Sequence, residues 1–261
     1  MKAVILAGGK GTRLADETFA LPKPMIEIGG KPILWHIMKI YSYHGIKDFV
    51  ICLGHKGWVI KEFFLHYRAK ISDFTVTLGD EQSVQFHNPS GEEDWRVTLV
   101  ETGEQAQTGT RIWNARRYLE GEEMFAVTYG DGVGDIDIQA LIETHRQSGL
   151  IGTVTAVRPA GRFGEIEVQD HLITEFNEKP NVGSGYINGG FMLFDAKRIW
   201  PFFKNGEDMA LEIGVLPEVV RQKQLGIFKH TGFWQCIDTY REYTMLNRMW
   251  DEGKAAWKIW A

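Results

Sequence analysis

The feature that most constrains this chain is a series of short apolar runs separated by helix-length segments. Ala3-Val4-Ile5-Leu6 opens the series, and residues 48–53, 74–78, 96–100, 124–128 and 153–157 continue it. Short runs with little polar alternation read as strands buried on both faces. Strands spaced by helices build a mainly parallel sheet covered on both sides. The helical segments carry their own punctuation. In residues 31–45, Pro32 suits a first turn, Ile33, Leu34, Ile37, Met38 and Tyr41 share a face, and Gly45 can end the helix. Residues 58–67 and 111–119 also read as helices, and Asp137 can cap one that runs through His145. The pattern then changes. Residues 165–168, 172–176 and 186–194 are strand-like with little helix between them, which predicts antiparallel pairing. Helices return at about 208–224 and 239–252. Residues 79–95 are polar and contain Asn88-Pro89-Ser90-Gly91, so a loop or lid is expected there. The expected class is α/β: a central mixed, mainly parallel sheet flanked by helices, with a small second sheet and a helical C-terminus, in one domain.

Composition narrows the partners. Apolar residues make up 44 % and charged residues 24 %, the balance of a globular protein. The net charge of −5 leaves no broad basic surface for nucleic acid or an anionic membrane. No run approaches the roughly 20 apolar residues of a membrane span. Any phosphate must therefore be held by a local site. The apolar start, residues 1–6, is too short for a secretory core, and two cysteines cannot make a disulfide framework, so a cytoplasmic protein is expected. Cys52, inside the run 49–53, reads as a buried thiol. Leu246, Trp250, Trp257 and Trp260 recur at helical spacing, and two readings stay open: packing on the chain's own core, or an aromatic subunit interface.

The strongest chemical signal is Leu6-Ala7-Gly8-Gly9-Lys10-Gly11-Thr12-Arg13. A buried strand ends in three glycines within four residues. Glycine lets backbone N–H groups approach an anion, and successive N–H groups form a positive nest. Arg13 adds a bidentate phosphate donor. No Gly-Lys-Ser/Thr closes the loop, and Leu14 stands where a dinucleotide fingerprint needs its third glycine. Ten residues on, Lys23 lies between Pro22 and Pro24, which hold it in extended backbone. Alone it would read as a solvated loop lysine; beside a phosphate nest it suits a transferring phosphoryl group. Asp131 follows an apolar strand, at the strand end where open α/β sheets place ligands. Alone, Asp238 would read as a helix N-cap. Asp135-Ile136-Asp137 has the letters of a metal-dependent glycosyltransferase, but Asp137 is better explained as a cap. The scattered His36, His44, His55 and His66 lack metal-ligand spacing.

Together, the glycine segment and Pro22-Lys23-Pro24 resemble the signature of the sugar-1-phosphate nucleotidylyltransferases. Lys31-Pro32-Ile33-Leu34, Tyr129-Gly130-Asp131-Gly132, Phe176-Asn177-Glu178-Lys179-Pro180, Asn188-Gly189-Gly190 and Phe233-Trp234-Gln235-Cys236-Ile237-Asp238-Thr239 follow in family order. Residues 28–39, 44–49 and 253–258 resemble the cytidylyltransferase branch that acts on glucose 1-phosphate. The resemblance implies a Rossmann-like nucleotidyltransferase fold. It divides the chain into a nucleotide-binding half of about 1–135, a sugar-binding half of about 136–240 and a helical tail of about 241–261. It implies that CTP and α-D-glucose 1-phosphate give CDP-glucose and pyrophosphate, in a homo-oligomer supplying activated sugar for a surface polysaccharide. Leu6, Ala7, Gly8, Gly9, Lys10, Gly11, Thr12, Arg13, Lys23, Arg111 and Gly130 would contact the nucleotide. Gly164, Glu178, Lys179, Asn188 and Gly189 would contact the sugar phosphate. Asp131 and Asp238 would share one Mg²⁺, and Lys23, Arg13 and Asp131 would carry the catalysis. Lys10, Leu21 and Ala106 depart from the cytidylyltransferase pattern. Backbone groups can choose between cytosine and uracil, so side-chain identity leaves UTP or dTTP open, as well as another sugar 1-phosphate. A binding protein without turnover is the remaining rival.

Overall fold

The computed structural model describes residues 1–9, 21–79, 83–88, 94–158, 185–204 and 207–260, and the backbone of 165–169 and 172–177. Its centre is an eight-stranded sheet. The strands are β1 (Lys2–Leu6), β2 (Asp48–Leu53), β3 (Arg96–Glu101), β4 (Met124–Tyr129), β5 (Gly152–Val157), β6 (Ile187–Asn188), β7 (Met192–Asp195) and β8 (Leu225–Lys229). The first four lie side by side and parallel in the order β4-β1-β2-β3. β7 joins β4 antiparallel. β5 then pairs antiparallel with β6 and β7 and parallel with β8. The expected mixed, mainly parallel sheet is therefore present, and it runs unbroken from the first half of the chain into the second.

Alternation along the strands sorts the core onto two faces. Ala3, Ile5, Phe49, Ile51, Ala126 and Leu193 pack toward α1 (Ile33–Tyr43) and the C-terminal segment. Val4, Val50, Cys52, Phe125, Val127 and Phe194 pack toward α3 (Thr108–Ala115), reached after α2 (Gly57–Leu65), and toward the segment around Leu211 and Val219. Both faces are dry, which is why these runs show no polar alternation. Cys52 is fully buried, and burial pushes its thiol up to about 12, so the inert-thiol reading holds. Asp137 caps α4 (Ile138–Ser148), its Oδ1 accepting from the Ala140 N–H at 2.9 Å.

Several expectations need correction. The polar segment 79–95 contains a strand, Ser83–Phe86, paired antiparallel with Phe74–Thr77. The expected strand 186–194 is split: Gly190 takes φ +75 and Phe191 φ +43, which interrupts the ladder between β6 and β7. The expected helix at 208–224 is a π-turn, Leu211–Val215, followed by the short α5 (Leu216–Arg221). The final helix, α6 (Tyr240–Asp251), stops at Gly253, with φ +68, so Trp257 and Trp260 lie beyond it. Trp257 is nonetheless fully buried in the core, stacked on Phe233 at 5.5 Å. Of the two readings of the tryptophans, core packing describes Trp257. Its Nε1–H donates to His36 Nδ1 at 3.3 Å, while His36 Nε2–H donates to the Ile28 carbonyl at 2.9 Å. Both ring nitrogens are engaged in the neutral form, and burial lowers the His36 pKa to about 4.

Candidate active site

Parallel pairing in register, Leu6 beside Tyr129 and Leu6 beside Cys52, brings the carboxyl ends of β1, β2 and β4 together. A cleft of about 370 Å³ opens there, the size of a small-molecule site. Leu6, Ala7, Gly8 and Gly9 form one wall, and Tyr129, Gly130 and Asp131 another. Lys23 and Arg111 also line it. Lys10, Gly11, Thr12 and Arg13 lie outside the described residues.

Lys23 begins a 3₁₀ turn, Lys23–Met25, entered from Pro22 in extended conformation. Pro24 and Met25 are buried, so the turn is anchored and the lysine is presented from it. Its ammonium donates to Asp131 Oδ2 at 2.5 Å and to Asp238 Oδ1 at 2.6 Å. Burial opposes the charge, but the two carboxylates outweigh it and hold the Lys23 pKa above its usual value.

A short ladder brings the two aspartates together. Gly132–Gly134 pairs antiparallel with Trp234–Cys236, and the Ile237 N–H donates to the Asp131 carbonyl at 2.9 Å. The cap of α6 is Thr239, whose hydroxyl accepts from the Glu242 N–H, while the Glu242 carboxylate accepts from the Asp238 and Thr239 N–H groups. A capping box thus does the work that Asp238 alone suggested, and leaves its side chain directed at Lys23. Asp131 and Asp238 converge on one point already occupied by a cation, and hard carboxylate oxygens are the donors that Mg²⁺ prefers. The pair therefore fits a divalent metal.

Arg111 is only 4 % exposed and meets a different set of partners. Nη1 donates to the Leu53 carbonyl (2.9 Å), Thr102 Oγ1 (3.0 Å) and the Gly103 carbonyl (2.7 Å). Nη2 donates to the Gly8 carbonyl at 2.9 Å and the Glu104 carbonyl at 3.4 Å. A side chain on Gly8 or Gly54 would collide with this guanidinium, which is what those two positions require of glycine. Arg111 braces the glycine turn from behind, and burial lowers its pKa.

On the expected sugar side, Asn188 and Gly189 stand at the split in the sheet. Asn188 Oδ1 accepts from the Gly190 N–H at 2.9 Å, and its Nδ2 donates to the Tyr129 hydroxyl at 2.9 Å. The Gly189 carbonyl accepts from Trp234 Nε1–H at 2.8 Å. Gly164, Glu178 and Lys179 lie outside the described residues. The backbone ladder of Glu165–Gln169 with Leu172–Asn177, between those positions, is the small second sheet that was expected.

Sequence reasoning missed Tyr129 and Glu212 as polar lining of the cleft. Their signal was faint: Tyr129 precedes Gly130-Asp131, and Glu212 sits in the segment 208–224, which reads simply as a helix. The Asp-x-Asp reading loses its basis. Asp137 is a cap, and Asp135 Oδ1 lies 3.0 Å from His230 Nε2. Among the described residues there is no cluster of three or more His, Cys, Asp or Glu able to hold a metal.

Comparison with known proteins identifies the family. The family model described as "Nucleotidyl transferase" matches residues 2–250. The chain is 47 % identical to a glucose-1-phosphate cytidylyltransferase of Salmonella typhi over 260 residues, covering 100 % of both chains. It is 42 % identical, with the same coverage, to a probable glucose-1-phosphate cytidylyltransferase of Bacillus subtilis (strain 168). The crystal structure of HddC from Yersinia pseudotuberculosis, at 24 % identity, shares the fold with a TM-score of 0.67, over 95 % of this chain and 99 % of that one. The glycine turn, the lysine behind it and the two converging aspartates are thus set in a chain that belongs to the nucleotidyltransferase family.

Proposed function

We propose that this chain transfers the cytidylyl group of CTP to α-D-glucose 1-phosphate, giving CDP-glucose and pyrophosphate. One observation carries the reading: Lys23, Asp131 and Asp238 meet at a glycine-walled cleft, in a chain alike over its full length to proteins named for that activity. A phosphate oxygen of the sugar phosphate attacks the α-phosphorus in line, and pyrophosphate leaves. The nucleophile is already anionic, so the site must position the reactants and neutralise charge without a strong base.

Gly8 and Gly9 would offer backbone N–H groups to the triphosphate, with Lys10, Gly11, Thr12 and Arg13 as further nucleotide contacts and Arg13 favouring the departing phosphates. Arg111 serves the nucleotide by holding the Gly8 carbonyl, so that the turn keeps its shape. Lys23 leaves the carboxylates for the α-phosphate and stabilises charge as the phosphoryl group transfers. Asp131 and Asp238, freed of the ammonium, would hold the metal. Divalent metal is general in this family, and Mg²⁺ bound here would neutralise phosphate oxygens. Glu178, Lys179 and Gly164 take the sugar phosphate, and Asn188 holds the Tyr129 hydroxyl at the edge of that site.

A cytoplasmic setting belongs to this reading; no helix among the described residues is long and apolar enough to cross a membrane. A homo-oligomer is consistent with large apolar side chains at the surface, Trp58, Leu65 and Leu78 among them. Sedimentation velocity should then show a species heavier than 29.7 kDa. The activity is tested by pyrophosphate release with Mg²⁺ and glucose 1-phosphate, offering CTP, UTP, dTTP, ATP and GTP in parallel. Release mainly with CTP is expected. Release mainly with UTP or dTTP would replace the nucleotide and keep the mechanism. Release with none would end the reading.

A further inference from the structure

Glu212 is the charged group in the cleft that the proposed chemistry does not use. It sits on the π-turn Leu211–Val215, and such turns often mark functional positions. Two hydroxyls fix its carboxylate. The Tyr129 hydroxyl donates to Oε1 at 2.5 Å, and the Thr108 hydroxyl donates to Oε2 at 2.7 Å. Thr108 Oγ1 in turn accepts from the Leu211 N–H at 2.8 Å, and Met209 and Thr110 exchange further bonds beside it. The segment carrying Glu212 is thereby stitched to the start of α3, so the carboxylate is rigidly placed.

Each carboxylate oxygen has two lone-pair sites, so a carboxylate with two donors can accept about two more. Glu212 is exposed and faces the cleft, where those sites remain available. No ion pair neutralises it among the described residues. A bare negative charge repels phosphate, which excludes the triphosphate and the sugar phosphate group from its side. What suits it is a neutral donor, and a pyranose ring presents several. Its partner Tyr129 is held by Asn188 of β6, on the sugar side of the sheet. We infer that Glu212 is a specificity-determining residue that accepts a hydrogen bond from a ring hydroxyl of the hexose 1-phosphate. This rests on the sugar-phosphate reading above.

The test measures kcat/KM with CTP for glucose 1-phosphate and its 2-, 3-, 4- and 6-deoxy analogues, using wild type, Glu212→Gln and Glu212→Ala. Turnover of glucose 1-phosphate by wild type settles the underlying reading separately. If the inference holds, Glu212→Ala loses about 10- to 100-fold on glucose 1-phosphate, the range for a hydrogen bond to a charged group. One deoxy analogue, and one only, then shows no further loss in the variant, and Glu212→Gln falls between. Equal losses for every analogue in both enzymes would overturn it, because the residue would then be only structural. So would compensation by 2′- or 3′-deoxy-CTP, or a changed CTP:UTP ratio, since either places Glu212 on the nucleotide. Thermal melting of both variants checks that each folds. Should Glu212→Ala not fold, the same pattern is read from Glu212→Gln and Tyr129→Phe.

Discussion

Lys23 and Arg111 are two cations in the wall of one cleft, and their surroundings give them opposite parts. Lys23 meets two carboxylates from distant segments, each of them partly exposed. Such partners can be satisfied equally by another cation, so the ammonium is exchangeable. Arg111 meets four backbone carbonyls and one hydroxyl, and three of these five bonds are buried. These neutral acceptors hold it from several directions at once, and its planar fork suits them. On the proposed reading a flexible point charge serves chemistry, and a rigid fork holds the glycine turn. Being charged and in the wall of a cleft does not by itself make a residue catalytic.

The sharpest way to break this comparison is to remove each cation. Lys23→Ala, or Asp131→Ala, should lower turnover by about 10²- to 10³-fold, the loss typical of a group that stabilises transition-state charge, while Tm stays close to wild type. Near-normal pyrophosphate release by either would remove their assignment. Arg111→Met should show itself first in stability. Five hydrogen bonds are lost, each worth roughly 0.5–1.5 kcal/mol net, so a loss of about 3 kcal/mol in urea unfolding is expected. An Arg111→Met protein of full stability with lost activity would make Arg111 a direct nucleotide ligand instead.

His36 extends the comparison to a buried group kept neutral. The unfolded chain takes up a proton near the ordinary value of 6.5, but the folded one only near 4. The stability it contributes is thus present above pH 6.5 and lost as pH falls toward 4. The loss is on the order of 3 kcal/mol. Urea midpoints from pH 7.5 to 4 should fall along that window, and less steeply in His36→Gln; parallel curves would contradict it. The smallest effect concerns exchange itself. Lys23→Met should bind Mn²⁺ without nucleotide about fivefold more tightly than wild type. That is close to 1 kcal/mol, the water-like limit for unit charges 4 Å apart. Unchanged Mn²⁺ affinity by electron paramagnetic resonance would show that Lys23 and the metal do not compete.

What could be read from the chain alone was local. Val4-Ile5-Leu6 is apolar on both faces because it lies between two layers, and that is written in consecutive residues. Gly8, the proline-flanked Lys23 and the Asp137 cap were legible for the same reason: each depends on backbone freedom or on hydrogen bonds within a few positions. Resemblance extended this to Asp131 and Asp238. Their meeting on Lys23 depends on the ladder between Gly132–Gly134 and Trp234–Cys236, and no local pattern encodes which strands pair. For Arg111 the sequence shows the charge and not the carbonyls that β2 and the glycine turn bring to it. Residues 186–194 read as one strand until Gly190 and Phe191 took positive φ and set Asn188 at the break. The sequence by itself determined the layers of the sheet, the glycine turn and the types of charge available. The tertiary structure decided which charges meet, because contacts between distant segments follow from strand register and the packing of the whole core.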